Sequence, residues 1–431
     1  MHHALAIPEL QFAIARVCAS FESSHAHLYR LSLVSWSWKN IVEPLLWENV
    51  DLWDLLYLSP AWTRLTREED GTRVMHAERA VTASDWEFVS SRSRFTRRLF
   101  VNCHGAMDEA VLATLPPAET LFPQLENMTL SAYKPPSFLV SRFLVALIPH
   151  TLAHLIIHCA SFVLRGIQAL VAARCVHLRS LEMTKLAFPA DIRSPSPCAA
   201  FLESLRDCSE LADVDIAFYA FEFRESFLCS LAAYPSLRRL KLEVREEDME
   251  EEPEELGVDH SAFPTSGFPV LQSLEVSAVP WQTVIAALRS IGGGSALTTI
   301  IITADVPDYE SYHAIVAAIG AAGDPAHLTT ISFDGFCTSL ARGQPFSVLD
   351  VRSLAPLSKF RRLENLDTRG LARSALTNDD CAEIARWWPE LTNLSLVTDT
   401  SERPSCTLEV MRTFCLCPRL TRLRIALAET E

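Results

Sequence analysis

The chain contains 431 residues, of which 49% are hydrophobic and 21% are charged. This composition predicts a folded protein with a large core and excludes a chain that is mostly disordered. The formal net charge is −15, which argues against nucleic acid as a partner because nucleic acids bind basic surfaces.

Part of the negative charge is concentrated in residues 246–255, where eight of the ten residues are Asp or Glu. Like charges at this density repel one another and remain hydrated. We therefore predict a solvated loop here, with a tether for a basic partner as the alternative.

The twelve cysteines are scattered, and no Cys-x-x-Cys pair occurs. This spacing favours buried free thiols in a reducing compartment over a disulfide framework or a metal site. The first residues show no basic region followed by an apolar run, and no apolar stretch approaches the ~20 residues of a membrane-spanning helix. We expect an intracellular protein, cytoplasmic or nuclear, without membrane association.

Residues 1–50 carry helical patterns. The segment Ile7-Pro8-Glu9-Leu10 opens one apolar pattern, which continues through Ile14 and Val17. Two or three short helices make a marginal core, so we predict that this module leans on another surface. A second apolar stripe has spacings of three, three, four and three residues, at Leu28, Leu31, Val34, Trp38 and Ile41.

The order of these residues resembles an F-box. The resemblance rests on Ile7-Pro8-Glu9-Leu10 with Ile14, on Leu31-x-x-Val34-Ser35-x-x-Trp38-Lys39, and on Leu46-Trp47. The chain differs at Gln11, where that family is usually apolar, and at Ala15, where a bulky residue is usual. In the family, this three-helix module binds the Skp-type adaptor of a cullin-based ubiquitin ligase, and the remaining chain selects the substrate. The resemblance implies that the adaptor is bound by Ile7, Pro8, Leu10, Ile14, Leu31, Val34 and Trp38.

Residues 51–120 are predicted to link the helical module to a repeat array and to cap its first member. The segment 95–101 has the apolar residues of an atypical first strand, as expected where one face has no neighbouring repeat. In the alternative interpretation of residues 1–50, that module is itself only a helical cap over the first repeat.

Residues 121–431 contain a repeated pattern that is clearest at Leu237-x-x-Leu240-x-Leu242. Apolar and charged residues alternate there, which places Leu240 and Leu242 on one face of a short strand. Copies recur every 26 to 35 residues, a period typical of leucine-rich repeats with loop insertions. The pattern predicts an α/β leucine-rich-repeat solenoid, with a parallel β-sheet on the concave side and helices outside. The copies begin at Leu125, Leu152, Leu178, Leu211, Leu237, Leu271, Leu297, Leu328, Leu363, Leu391 and Leu420.

Two of the connecting helices have clear boundary signals. Residues 377–380 offer a capping threonine and early acidic residues, and Pro389 is positioned to end the helix that follows. Trp281, Ile285 and Leu288 form a similar helical stripe after Pro280.

The side chains that alternate with the buried strand positions are predicted to line the concave face. They are mixed in charge and lack an aromatic ladder, which suits a protein or peptide partner better than a small ligand or nucleic acid. The predicted substrate-binding residues are Asn127, Thr129, Asp213, Asp215, Arg239, Lys241, Arg422 and Arg424.

Motifs for chemistry are weak throughout the sequence. His150, His154 and His158 recur every four residues, but in a strand four residues span about 13 Å, too far for His154 and His158 to share one ion. No phosphate-binding loop, Gly-x-Ser-x-Gly or His-Glu-x-x-His motif occurs. We therefore predict no enzymatic activity, no cofactor and no metal.

The sequence thus predicts the substrate-recognition subunit of an SCF-type ubiquitin ligase, with an unidentified protein substrate. One alternative is a leucine-rich-repeat scaffold that binds a partner and recruits no ligase. A hydrolase built on the repeats has no motif in its favour. Co-purification with an adaptor would separate the first two.

Overall fold

The computed structural model is an α/β structure in which the described residues form thirteen strands of one parallel sheet, which confirms the predicted class. The chain divides into a first unit, residues 1–190 with 204–210, and a second unit, residues 191–203 with 211–431. The acidic run 246–255 lies outside the described residues. The structure describes residues 7–21, 24–59, 61–67, 73–77, 79–102, 105–107, 109–132, 146–159, 171, 174–186, 197–219, 225–245, 268–291, 296–306, 309–336, 348–371, 373–398 and 406–428.

The first unit begins with helices and continues into strands. Its helices are α1 (Pro8–Ala19), α2 (Ser24–Ser32), α3 (Trp36–Leu46), α4 (Leu52–Leu56), α5 (Ala83–Ser93), α6 (Glu109–Leu112) and α7 (Ala118–Leu121). Its strands are β1 (Asn49–Asp51), β2 (Trp62–Arg67), β3 (Arg73–Ala77), β4 (Arg98–Asn102), β5 (Gly105–Met107), β6 (Asn127–Ala132), β7 (His154–Cys159) and β8 (Ser180–Leu186).

The first unit contains strands that the sequence patterns did not indicate. The predicted strand at 95–101 is confirmed as β4, but β1 precedes it and pairs with it in parallel, Val50 opposite Leu99. Strand β1 has three residues, too few to show an alternation. A second, three-stranded sheet of this unit joins β2, β3 and β5.

The second unit alternates strands with short helices. Its strands are β9 (Asp213–Tyr219), β10 (Arg239–Arg245), β11 (Ser273–Pro280), β12 (Thr299–Asp305), β13 (Thr330–Phe336), β14 (Val348–Leu349), β15 (Asn365–Leu371), β16 (Arg373–Ser374), β17 (Asn393–Thr398) and β18 (Arg422–Ile425). Its helices are α8 (Pro197–Ser204), α9 (Glu225–Ala232), α10 (Trp281–Ile291), α11 (Tyr309–Ala322), α12 (Val351–Leu354), α13 (Asn378–Trp387) and α14 (Val410–Thr413), with 3₁₀ turns at Ala355–Leu357 and Phe414–Leu416.

Each repeat leucine identified in the sequence lies two residues before a strand, from Leu125 before β6 to Leu420 before β18. All of them except Leu420 are buried. In the copies that carry proline, a tight turn leads into the strand. The Leu237 amide donates to the Tyr234 carbonyl oxygen at 3.4 Å, and Leu391 donates to Trp388 at 3.3 Å. Proline suits the second position of such a turn because its φ is already fixed.

Alternation within the strands divides the sheet into a buried side and an exposed side. Leu240 and Leu242 are 2% and 0% exposed, whereas Arg239 is exposed and Lys241 is half-buried. The parallel register keeps this pattern in line from strand to strand. From β9 to β17, the residues in register with Leu240 are each at most 2% exposed: Val214, Leu274, Ile300, Ile331, Leu366 and Leu394.

The two helices with boundary signals form as predicted. Thr377 caps α13, because its side chain accepts a hydrogen bond from the Asp380 amide while Asp380 accepts one from the Thr377 amide. The helix ends at Trp387, two residues before Pro389. Helix α10 starts at Trp281, directly after Pro280, and buries Ile285 and Leu288.

Candidate protein-binding surfaces

The three N-terminal helices begin where their sequences favour helix starts. Pro8 occupies the first turn of α1, where its missing amide hydrogen costs no internal bond. Ser35 caps α3, its Oγ accepting a hydrogen bond from the Trp38 amide at 3.3 Å. We call residues 7–46 the helical module.

The core of the helical module is formed by its own residues. Ala15 from α1, Leu28 from α2, and Trp38 and Val42 from α3 are each at most 4% exposed. The half-buried residues packed against this core also belong to the three helices: Cys18, Ala19, Leu31, Ile41, Leu45 and Leu46. The module therefore has an apolar centre of its own.

Helix α1 buries small and polar side chains and exposes large apolar ones. Gln11 is 2% exposed and Ala15 is 0% exposed, while Leu10 and Phe12 are each 44% exposed and Val17 is 58% exposed. A surface helix normally turns its large apolar residues toward the core. The reversed arrangement on α1 leaves an apolar surface in contact with solvent, which is typical of an interaction site.

The residues predicted to bind an adaptor fall into two groups. Ile7, Leu10, Ile14 and Val34 are 45%, 44%, 37% and 52% exposed, and Pro8 is also exposed. Leu31 is half-buried, and Trp38 is 4% exposed inside the module core. The structure thus places the first group on the surface and gives Trp38 surroundings made by the module itself.

Several exposed apolar residues of the helical module were missed by the sequence analysis. A search for one apolar stripe per helix selects residues at helical spacing and passes over those on the other faces. The signal was available in α1, where apolar residues occur on almost every side. The missed residues are Phe12, Phe21, Tyr29, Leu33 and Trp36, the last two being 68% and 75% exposed.

Two cations lie over exposed aromatic rings of this surface. The Arg16 guanidinium lies 5.2 Å from the centre of the Phe12 ring, and the Lys39 ammonium lies 4.7 Å from the Trp36 ring. Such contacts hold the rings in place at modest energy when they are exposed to water. The surface therefore combines apolar area with positive charge at its aromatic residues.

The second candidate surface is the exposed side of the sheet. In the first unit, Asn127 and Thr129 of β6 are half-buried on this side, where the sequence predicts them. Arg98 and His154 flank Asn127 in register, and the Thr129 neighbour Phe100 is 40% exposed. Around Asn127 and Thr129, the exposed side of the sheet is thus polar except for the ring of Phe100.

In the second unit, the predicted acidic and basic residues form ion pairs between adjacent strands. Arg239 Nε lies 2.5 Å from Asp213 Oδ1, and Lys241 Nζ lies 3.3 Å from Asp215 Oδ2 and 4.0 Å from Glu275 Oε1. Exposed pairs of this kind contribute little to stability, about 0–1 kcal/mol each, but they match one strand to its neighbour.

The electrostatic effect of these pairs is visible in the basic side chains. The hydrogen bond and charge of Asp213 raise the pKa of Arg239 above its ordinary value. Burial acts to lower the pKa of Lys241, but the nearby carboxylates, chiefly Asp215, outweigh it and the pKa is raised. Both residues therefore carry a full positive charge that the neighbouring strands neutralise.

Arg422 and Arg424 are exposed on the same side of β18. Their neighbours in register on β17 are Asn393 and Ser395, which carry no charge. Within the described part of the chain, neither arginine lies within salt-bridge distance of a carboxylate. These two charges therefore differ from those of Arg239 and Lys241 in being available to a partner.

Among the described residues, no group of three or more His, Cys, Asp or Glu side chains is arranged to hold a metal ion. His154 and His158 lie in strand β7, and His158 Nδ1 is hydrogen-bonded to Thr184 Oγ1. None of the helices in the described ranges is long and apolar enough to span a membrane.

No protein-family model matches the chain, and no curated protein matches it at a significant level. The surfaces described above are therefore what bears on its function.

Proposed function

We propose that this protein is the substrate-recognition subunit of an SCF-type ubiquitin ligase. In this proposal the helical module is an F-box-like domain that binds a Skp-type adaptor and, through it, a cullin ligase core. The sheet-forming part is a leucine-rich-repeat solenoid whose exposed side binds a target protein. The chain supplies binding surfaces and no catalytic step of its own.

The observation that carries the proposal is the reversed burial on α1. A helix that only covered neighbouring repeats would bury its large apolar side chains beneath it. Instead, Leu10, Phe12 and Ile14 are 44%, 44% and 37% exposed while the module core is already filled by Ala15 and its neighbours. Docking of partner helices on such residues concentrates binding energy on a few large anchors.

The exposed side of the sheet supports the second half of the proposal. Its residues are charged and hydroxylic, with ion pairs such as Arg239 with Asp213 already formed. An extended polar surface of this kind fits a protein partner, because it offers many hydrogen-bonding groups.

The test is a pull-down of the purified chain with purified Skp-type adaptor. We expect the wild type to be captured and the double variant Pro8→Ala with Leu10→Ala to be lost, since each large anchor contributes about 2 kcal/mol or more. Circular dichroism and thermal melting would show that the variant remains folded. Phe88→Ala is the matched control, because Phe88 is 38% exposed on α5, outside the helical module.

A second double variant, Leu33→Ala with Trp36→Ala, maps the extent of the surface. Loss of capture would place the turn between α2 and α3 in the interface, and full capture would confine the interface to α1. Equal capture of wild type and the Pro8–Leu10 variant would rule out the proposed site. Absence of capture for the wild type would favour a repeat scaffold with no ligase role.

A further inference from the structure

Strand β18 is the last strand in the order of the sheet and, among the described residues, pairs with β17 alone. Its apolar residues Leu423 and Ile425 are half-buried, whereas Leu394 and Leu396, in register on β17, are 0% exposed. An edge strand also presents backbone amide and carbonyl groups that can pair with another strand. A further strand at this position would cover both the apolar side chains and the edge.

The charged residues of β18 resemble those of an inner strand. Strand β10 places Arg239 and Lys241 at alternate positions on the exposed side, and β18 places Arg422 and Arg424 in the same way. The cations of β10 are matched by β9, where Asp213 and Asp215 occupy the positions in register. The molecule itself therefore contains an example of the strand that complements two alternating cations.

Polar groups beside the two arginines also lack partners. Ser395 is 2% exposed, and within the described part of the chain neither its Oγ nor the Oδ1 of Asn393 has a hydrogen-bond partner. Asn393 and Ser395 lie in register with Arg422 and Arg424. Both atoms are buried on β17, so a segment that pairs with the opposite edge of β18 lies about two strand spacings away and leaves Arg422 and Arg424 as the polar groups within its reach.

We propose that β18 binds an extended segment of a partner protein by strand addition. The segment pairs with the free edge of β18 in parallel, as all neighbouring strands of the large sheet do, and alternates acidic with apolar residues. Its acidic residues at alternate positions lie beside Arg422 and Arg424, and its apolar residues cover Leu423 and Ile425. The identification of this segment as the ligase substrate rests on the function proposed above, whereas the binding itself does not.

The probe is a fluorescein-labelled peptide with the sequence of β9, from Asp213 to Tyr219, added to the full chain and followed by fluorescence anisotropy. We expect saturable binding that weakens as salt is raised, because charge pairs contribute to it. A control peptide with both aspartates changed to asparagine should bind on the order of tenfold more weakly or worse.

The protein variants separate this site from a general effect of charge. The double variant Arg422→Glu with Arg424→Glu should lower the affinity for the Asp213–Tyr219 peptide. The loss should exceed the loss caused by changing both peptide aspartates to asparagine. Arg352→Glu with Arg361→Glu makes the same change in charge at two exposed arginines elsewhere in the second unit, and it should leave binding within about twofold.

Backbone pairing is tested with two peptides that carry N-methyl groups at every second residue, in the two possible phases. Only alternate amides of an added parallel strand face its neighbour, so one phase should abolish binding and the other should preserve it. Preservation in both phases would show a simple charge attraction and overturn strand addition. Absence of binding, or equal binding by the wild type and the Arg422–Arg424 variant, would overturn the proposal outright.

A failure of the strand-addition proposal can be distinguished from a failure of the adaptor proposal. The Arg422–Arg424 variant should still be captured by the adaptor, since the helical module is unchanged. Peptide binding without adaptor capture would support the strand-addition site and reject the ligase role.

Discussion

Ser37 on α3 donates a hydrogen bond from its Oγ to the Oε1 of Gln11 on α1, at 2.7 Å. Gln11 is 2% exposed, so a polar side chain is buried in the contact between these two helices. The bond explains how it is tolerated, because buried polar groups are stable when they are paired.

We predict that Gln11→Ala lowers the free energy of unfolding by about 1–2 kcal/mol, since it removes the bond and leaves a small cavity. Gln11→Leu should cost less, because it fills the space and Ser37 is exposed enough to bond with water. Melting of the two variants, followed by far-ultraviolet circular dichroism, compares them. A larger loss for leucine than for alanine would contradict this account.

Leu240 and Lys241 are adjacent in β10 but lie on opposite sides of the sheet. We predict that Leu240→Asp costs several kcal/mol, because it places an unpaired charge in the core. Lys241→Ala should change stability by about 1 kcal/mol or less, since it removes only exposed ion pairs. Thermal melting measures both, and an unchanged melting temperature for Leu240→Asp would refute the assignment of Leu240 to the buried side of the sheet.

Much of the sheet was predictable because its local signals agree with its global pairing. The leucine before each strand, the alternation within it and the proline turns all specify the same register, as at Leu237 and Leu240. Strand β1 was not predictable, since three residues carry no period. The small sheet of β2, β3 and β5 depends on pairing between distant segments, which single-segment patterns do not reveal.

The candidate binding surface was predictable only in part. The resemblance of the sequence to an F-box implied that Trp38 and Ile14 belong to one adaptor-binding surface. The structure separates them, with Trp38 in the core and Ile14 exposed, because the helices meet through Gln11 and Ala15. Which of two apolar stripes is buried depends on how closely the helices approach each other. Small residues allow a close approach, but whether they face the neighbouring helix depends on the folded arrangement.

The start of α5 is held by an ion pair that should respond to pH. Arg79 binds both carboxylate oxygens of Asp85, at 2.6 and 2.7 Å, and the Thr82 amide donates to the same group at 2.9 Å. These contacts, the Arg79 bonds first among them, hold the pKa of Asp85 well below its ordinary value of 3.8. A depressed pKa means that the folded state prefers the charged carboxylate.

The contribution of Asp85 to stability is therefore complete above its unfolded pKa and is lost as the pH falls from there through the folded pKa. We predict that Asp85→Asn lowers the free energy of unfolding near neutral pH. The difference in this free energy between the variant and the wild type should become smaller below about pH 4. Urea unfolding of the wild type and the variant, near neutral pH and below about pH 4, measures this difference. Arg79→Ala serves as the control, since it should show the same narrowing, and a constant difference would exclude the pair as its cause.

The described cysteines differ sharply in exposure, and this predicts their reactivity. Cys415 is exposed, whereas Cys175 and Cys208 are buried. Burial raises the pKa of the Cys175 thiol to about 12, and burial together with Asp207 raises that of Cys208 to about 11. Alkylation requires both access and a thiolate, so the buried pair is protected twice.

We predict that iodoacetamide modifies Cys415 in the native protein at least about tenfold faster than Cys175 or Cys208. Peptide mapping by mass spectrometry after short exposures, at mildly alkaline pH, measures the rates. In urea the three rates should converge, because unfolding removes both the burial and the pKa shift. Comparable labelling of Cys175 and Cys415 in the native state would mean that the segment containing Cys175 opens readily, contrary to its 0% exposure.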